Sequence, residues 1–297
     1  MIPPRHLVLS GGGIKVISIV GALKILEEKG YMKNVREVSG VSAGAWLAFM
    51  VSLGLKIQFI EKLVLDLEFG IIRNLSPDAF IGFPETFGID DGKMLVKFLE
   101  SIMRVALKID PSSTFMSMGS KKMKFKCWAT DLNTHTIREF SIEKTPNVRI
   151  VDALHASMAI PLYFTPVIDP ETGHMLSDGG IQGSLPIHHL TDEECEQCLA
   201  IGFCKNKPDP VEGKEPANLM EFMGSIFSSL THSRNKEVID KWCHKIIRIP
   251  VDDVQSWNFE VSREERDKLL KKGSAAITAW MLINNHGDRK VFRRTSI

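Results

Sequence analysis

Residues 6–53 read HLVLSGGGIKVISIVGALKILEEKGYMKNVREVSGVSAGAWLAFMVSL, and this stretch decides the fold. His6 to Ser10 is a short apolar strand that stops at three glycines, Gly11-Gly12-Gly13. From Val16 to Lys29 the apolar residues Ile19, Val20, Leu23, Ile25 and Leu26 recur with a helical period, which Gly30 ends. Val35 to Ser39 predicts a second short strand, and Ala43 to Leu53 a helix with few polar positions. Strand, loop, helix, strand, sharp turn and helix make a βαβα opening, whose parallel strands need crossover helices to cover them. The expectation is an α/β fold: a three-layer α/β/α sandwich with a mainly parallel central sheet.

Further along, Lys56 to Phe69 is amphipathic, and another helix is expected from about Asp90-Asp91, whose carboxylates suit a helix N-terminus. Between them, Leu75 to Gly88 sets Phe80, Ile81, Phe83 and Phe87 among prolines and glycines, apolar side chains that need a partner. Lys122 to Thr130 and Thr136 to Phe140 alternate as two strands about a turn at Asn133-Thr134. Val148 to Met158 returns to helix, and Ile160 to Ile168 is broken by Pro161 and Pro166. Cys198 to Phe203 and Ile246 to Pro250 read as strands. Leu219 to Trp242 and Ser262 to Ile283 read as helices, with a polar loop at Lys205 to Pro216.

A chain of 297 residues, 44% hydrophobic and 25% charged, is long enough to bury a large core. Its net charge is +1 and its Lys and Arg residues are scattered, which excludes strong electrostatic attachment to nucleic acid and leaves any membrane contact to apolar groups. Val38 to Leu55 is uncharged and near the minimum length of a membrane span, but serines and glycines interrupt it as in a strand, turn and helix. Pro3, Pro4 and Arg5, followed only by Leu7-Val8-Leu9, lack the apolar run of a secretory signal, so a cytoplasmic location is expected. Cys127, Cys195, Cys198, Cys204 and Cys243 are odd in number and without framework spacing, as in a reducing compartment. Cys195 and Cys198 form one CxxC near Cys204, His188 and His189. Without a second pair they are expected to be free thiols on a helix, with no metal bound.

Gly40-Val41-Ser42-Ala43-Gly44 is a GxSxG, a pattern that chance supplies in roughly one chain in ten of this length, so context must carry it. Here a strand precedes the serine and a helix follows at once, as in a nucleophile elbow. Gly11, Gly12 and Gly13 offer backbone N–H groups for an oxyanion, with the charge of Lys15 nearby. The rival reading, a phosphate loop, lacks its third glycine, where Val16 stands, and no GxxxxGK[ST] occurs. None of the nine histidines has a recognisable catalytic setting, and an α/β-hydrolase elbow follows more strands than precede Ser42. The base is then either a histidine brought in by the fold or an aspartate acting directly.

Four separated blocks, in order, resemble the patatin-like phospholipase family. They are Gly11 to Lys15, Gly40 to Gly44, Ala156-Ser157-Met158-Ala159-Ile160-Pro161-Leu162-Tyr163-Phe164-Thr165-Pro166, and Asp178-Gly179-Gly180. Ala129 to Thr134 is similar to a recurring strand-end segment, and the likeness covers roughly residues 7–190. The resemblance implies a Ser–Asp dyad without histidine: Ser42 as nucleophile, Asp178 as base, and Gly11 to Gly13 with Lys15 at the oxyanion. Lys15 stands where arginine is common, so it would offer charge rather than a fork of donors. Asp178 must then sit where burial raises its pKa. Asp131 and Asp152 are read instead as a strand-end turn residue and a helix-end residue.

The substrate class implied is a phospholipid or other lipid ester, with no cofactor and with transient contact to a membrane surface. The apolar residues of Leu75 to Gly88 are expected either to form part of the lipid entrance or to plug the core from a loop. A neutral-lipid or wax-ester hydrolase, an acyltransferase, and a non-enzymatic lipid- or partner-binding module stay open. Residues 7–190 are expected to form the catalytic core and 191–297 an extension completing the same α/β domain.

Overall fold

The computed structural model describes residues 3–74, 81–119, 123–204, 215–216, 221–226, 229, 239–251, 254, 256 and 258–285. The chain opens with β1 (His6–Leu9), α1 (Val16–Glu28), β2 (Glu37–Val41), α2 (Ala43–Ser52) and α3 (Ile57–Asp66). The short helix α4 (Phe83–Thr86), β3 (Gly88–Asp90), α5 (Lys93–Ser101) and α6 (Phe115–Met118) follow. Next come β4 (Lys124–Asp131), β5 (Thr136–Ser141), α7 (Ile150–Met158), β6 (Leu162–Phe164), β7 (Val167–Ile168) and β8 (Met175–Asp178). The last described elements are α8 (Asp192–Gln197), β9 (Cys198–Cys204), β10 (Ile246–Pro250) and α9 (Arg263–Asn285).

The main sheet runs in the order β10-β9-β1-β2-β4-β8-β7, with β5 on the other edge of β4. Strands β10, β9, β1, β2 and β4 are mutually parallel, whereas β5, β7 and β8 run antiparallel to their neighbours. Alternation along the strands sends side chains to two faces. Leu7, Leu9, Leu199, Ile201, Ile247 and Ile249 enter the larger core, while Val8, Cys198, Ala200 and Ile246 enter a smaller one with Ile187, Cys195 and Trp242. Two covered faces make the three-layer α/β/α sandwich. On the larger side α1 packs against α9, where Ser274 Oγ donates to the Gly21 carbonyl at 3.0 Å. No helix among the described residues is long and apolar enough to cross a membrane.

Several boundaries differ from those expected. Strand β2 begins at Glu37, not Val35, because its register is set by β1: the Arg36 and Glu37 N–H groups both donate to the Arg5 carbonyl, and His6 pairs with Glu37. The helix expected from about Asp90-Asp91 begins at Lys93, whose N–H donates to Asp91 Oδ1 (3.1 Å), while Asp90 ends β3. Its carboxylate accepts from Asn74 N–H (2.5 Å) and Gly92 N–H (2.9 Å), and β3 pairs with β6 in a separate parallel two-stranded sheet. Only Cys195 lies on a helix, α8; Cys198 opens β9, and both thiols are buried. Asp152 falls in the first turn of α7, bonded to Arg149. Phe80, the loop from Lys205 to 214 and much of the helix expected over Leu219 to Trp242 lie outside the described residues.

Candidate active site

The register of β4 explains how two distant residues meet. Strand β2 runs parallel to β4 as far as the pair Val41–Trp128, and β8 approaches antiparallel with Asp178 opposite Ala129. Since β5 occupies one edge of β4 from Lys126 to Asp131, β2 and β8 share the other and meet end to end. The residue that leaves β2 is Ser42, and the residue that ends β8 is Asp178.

Ser42 Oγ donates to Asp178 Oδ2 at 2.6 Å. The other carboxylate oxygen accepts from Gly180 N–H at 2.7 Å, so both oxygens are held. Asp178 is fully buried and Ser42 is 8% exposed. Burial pushes the Asp178 carboxyl up to about 7, against the lowering effect of the Ser42 hydroxyl and the Gly180 N–H. Thus a carboxylate too weak a base in water is brought near neutrality by its surroundings. Three of the described histidines are engaged elsewhere: His6 with Ser39 (2.7 Å), His174 with Asp131 (2.7 Å), and His188 with the Leu185 carbonyl (3.1 Å).

Ser42 turns the chain from β2 into α2 at φ 56° and ψ −135°, a conformation that costs a non-glycine residue about 1–3 kcal/mol. The glycines of the motif make the turn possible. A Cβ on Gly40 would lie 2.4 Å from the Gly44 carbonyl, and one on Gly44 would lie 2.4 Å from the Ser10 carbonyl. Ala43 is the first residue of α2, so the positive end of that helix dipole faces the serine oxygen.

The glycine loop passes directly against Ser42: a Cβ on Gly11 would come within 3.0 Å of Ser42 Cβ. Gly11 N–H, however, donates to the Ser184 carbonyl at 2.8 Å, so it cannot serve as a free oxyanion donor. Gly12 and Gly13 N–H carry no such backbone bond among the described residues. Gly13 needs to be glycine, with φ 55° and the Ser256 carbonyl 2.0 Å from where its Cβ would be. Lys15 closes the 3-10 turn Gly13–Lys15, and its carbonyl accepts from Ser18 Oγ at 2.8 Å. Gly179 stands against Val41 and the Trp128 carbonyl.

Beside Ser42 lies an apolar cleft that opens to solvent. Its walls are side chains such as Ile17, Trp46, Phe69, Phe98, Phe164 and Phe259, with Ser42 as the polar group at its edge. Motif reading missed these walls, because they come from six separate segments. It also gave no role to Ser157, whose Oγ accepts from Ser42 N–H at 2.9 Å, although Ser157 stood within a quoted block. Phe259, and the Ser256 carbonyl that accepts from Ile14 N–H (3.2 Å), bring the C-terminal third to the site. No group of three or more His, Cys, Asp or Glu placed to hold a metal ion occurs among the described residues.

Comparison with known proteins agrees with this architecture. An uncharacterized protein of Acanthamoeba polyphaga mimivirus is 27% identical over 280 residues, covering 92% of each chain. The probable lipid hydrolase 463L of Invertebrate iridescent virus 6 is 28% identical over 185 residues, 62% of each. In three dimensions the fold is similar to VipD from Legionella pneumophila, with a TM-score of 0.59 at 19% identity over 94% of this chain and 67% of that one. The patatin-like phospholipase family model matches residues 7–191, which include the glycine loop, Ser42 and Asp178. By that match the chain belongs to the patatin-like phospholipase family.

Proposed function

We propose that the protein is a lipid acyl hydrolase of phospholipase A type, cleaving fatty acyl esters with Ser42 as nucleophile and Asp178 as its base. The observation that carries this reading is the 2.6 Å hydrogen bond from Ser42 Oγ to a fully buried Asp178 carboxylate at the edge of an apolar cleft. Family membership and the lipid-hydrolase name of a relative support the substrate class. The acyl chain lies in the cleft against its apolar walls.

As Ser42 Oγ attacks the acyl carbonyl carbon, its proton passes to Asp178 Oδ2. The oxyanion that forms faces Gly12 and Gly13 N–H, with Lys15 adding positive charge. Collapse breaks the ester C–O bond, and Asp178 returns the proton to the departing alcohol oxygen, leaving an acyl-Ser42 ester. A water molecule then gives its proton to Asp178 and attacks that ester. The fatty acid leaves and Ser42 regains its proton.

Residues 7–190 act as the catalytic core, and the extension 191–297 completes the same domain by supplying β9, β10 and the cleft residue Phe259. Contact with a membrane surface is transient and apolar. The test is mass-spectrometric analysis of products from mixed lipid vesicles, with Ser42→Ala as the blank. Free fatty acid and lysophospholipid are expected. Diacylglycerol hydrolysis alone, or acyl transfer between lipids, would redirect the assignment, and no product above the blank would refute it.

A further inference from the structure

Nucleophile and acid leave different strands, yet their backbone N–H groups are held by one short stretch of chain. Ser42 N–H donates to Ser157 Oγ (2.9 Å), and the Ser157 hydroxyl donates onward to the Trp128 carbonyl (2.7 Å). Asp178 N–H donates to the Ala159 carbonyl (2.7 Å), which also accepts from Ser177 Oγ (2.7 Å). Between the two anchors, Met158 lines the acyl cleft. The end of α7 therefore touches the nucleophile, the acid and the cleft at once.

Ser157 is fully buried, and its partner at 128 is the last β4 residue paired with β2. Ser42 lies at positive φ between Val41, the last residue of β2 paired with β4, and the first residue of α2, and its N–H is taken by Ser157 Oγ. A buried N–H without a partner is strongly disfavoured, and rotation of the 41–42 peptide to find another would swing Oγ away from Asp178. We propose that Ser157 is the positioning residue of the dyad, its hydroxyl fixing the strained elbow so that Ser42 Oγ stays in line with Asp178 Oδ2. The proposal rests on the reading of Ser42 and Asp178 as nucleophile and base. It assigns Ser157 no contact with substrate.

A displacement of about 1 Å in a reacting group costs on the order of 10²-fold in rate. Ser157→Ala and Ser157→Cys are to be compared with the wild type on a short soluble ester, with kcat expressed per site labelled at the end point by a fluorophosphonate. Cysteine keeps nearly the shape of serine but accepts and donates weakly, so it carries the test if the alanine variant does not fold. The expected result is a kcat per site lowered about 10- to 100-fold with KM changed less than about threefold, since the cleft walls are untouched. A purely structural role would lower the number of labelled sites and leave kcat per site at the wild-type value. That outcome, in either folded variant, overturns the proposal. Failure of the underlying reading shows separately, as wild-type activity in Ser42→Ala or Asp178→Asn.

Discussion

Replacing Asp178 with asparagine keeps the shape of the side chain and removes its charge. The Asp178 carboxyl has a pKa near 7 in the folded protein against an ordinary 3.8, the difference arising first from burial. Folding thus favours the protonated acid. Below about pH 4 the group costs nothing, and the cost grows as pH rises between the two values and levels off above about 7. The gap between 3.8 and 7 amounts to about 4 kcal/mol at pH 8, with about 2 kcal/mol already present near pH 5.5. Asparagine can still accept from Gly180 N–H and avoids this cost. Thermal unfolding of the two proteins should therefore differ by on the order of 5–10 °C at pH 8, the variant being the more stable, and by almost nothing at pH 4. The same variant should lose at least 10²-fold in ester hydrolysis. A variant no more stable than wild type at pH 8, or one whose advantage is equal at both pH values, would show that burial does not raise the Asp178 pKa in this way.

Related expectations concern pH, the glycine loop and the lipid surface. In wild type, log kcat/KM on a soluble ester should rise with pH and level off above about 7, as Asp178 loses its proton; a limb near 4 would mean the carboxylate is not held as described. Gly13→Ala forces a side chain against the Ser256 carbonyl at positive φ, so a loss of about 10²-fold in kcat is expected; retained activity would remove Gly13 N–H from the oxyanion site. Phe87 is 52% exposed, so Phe87→Ser should leave the melting temperature unchanged and slow hydrolysis of vesicles more than that of a soluble ester. Equal rates of vesicle hydrolysis would place the lipid entrance elsewhere. Phe83 is unsuited to this test because it packs half-buried against the core.

What could be read from the sequence was what is written locally. The helical period of Val16 to Glu28 and the alternation in β4 and β5 arise from side chains a few positions apart, so pattern alone located them. The GxSxG glycines are likewise a local demand of one turn. Features set by distant pairing were hidden. Strand β3 is three residues long and exists because Leu162 to Phe164 lies beside it, and the start of β2 depends on Arg5 and His6. Nothing near Gly11 indicates that Ser184 takes its N–H. The pairing of Ser42 with Asp178 came from the order of four blocks, whereas its physical basis is the shared edge of β4.

If Ser42 is the nucleophile and Asp178 activates it, a covalent label will report on both. Wild-type protein treated with a fluorophosphonate, digested and mapped by mass spectrometry should carry one adduct, on Ser42, and lose activity in step with labelling. Asp178→Asn should label at least 10²-fold more slowly while folded. Adduct on another serine, or undiminished labelling of Ser42 without the Asp178 carboxylate, would contradict the account.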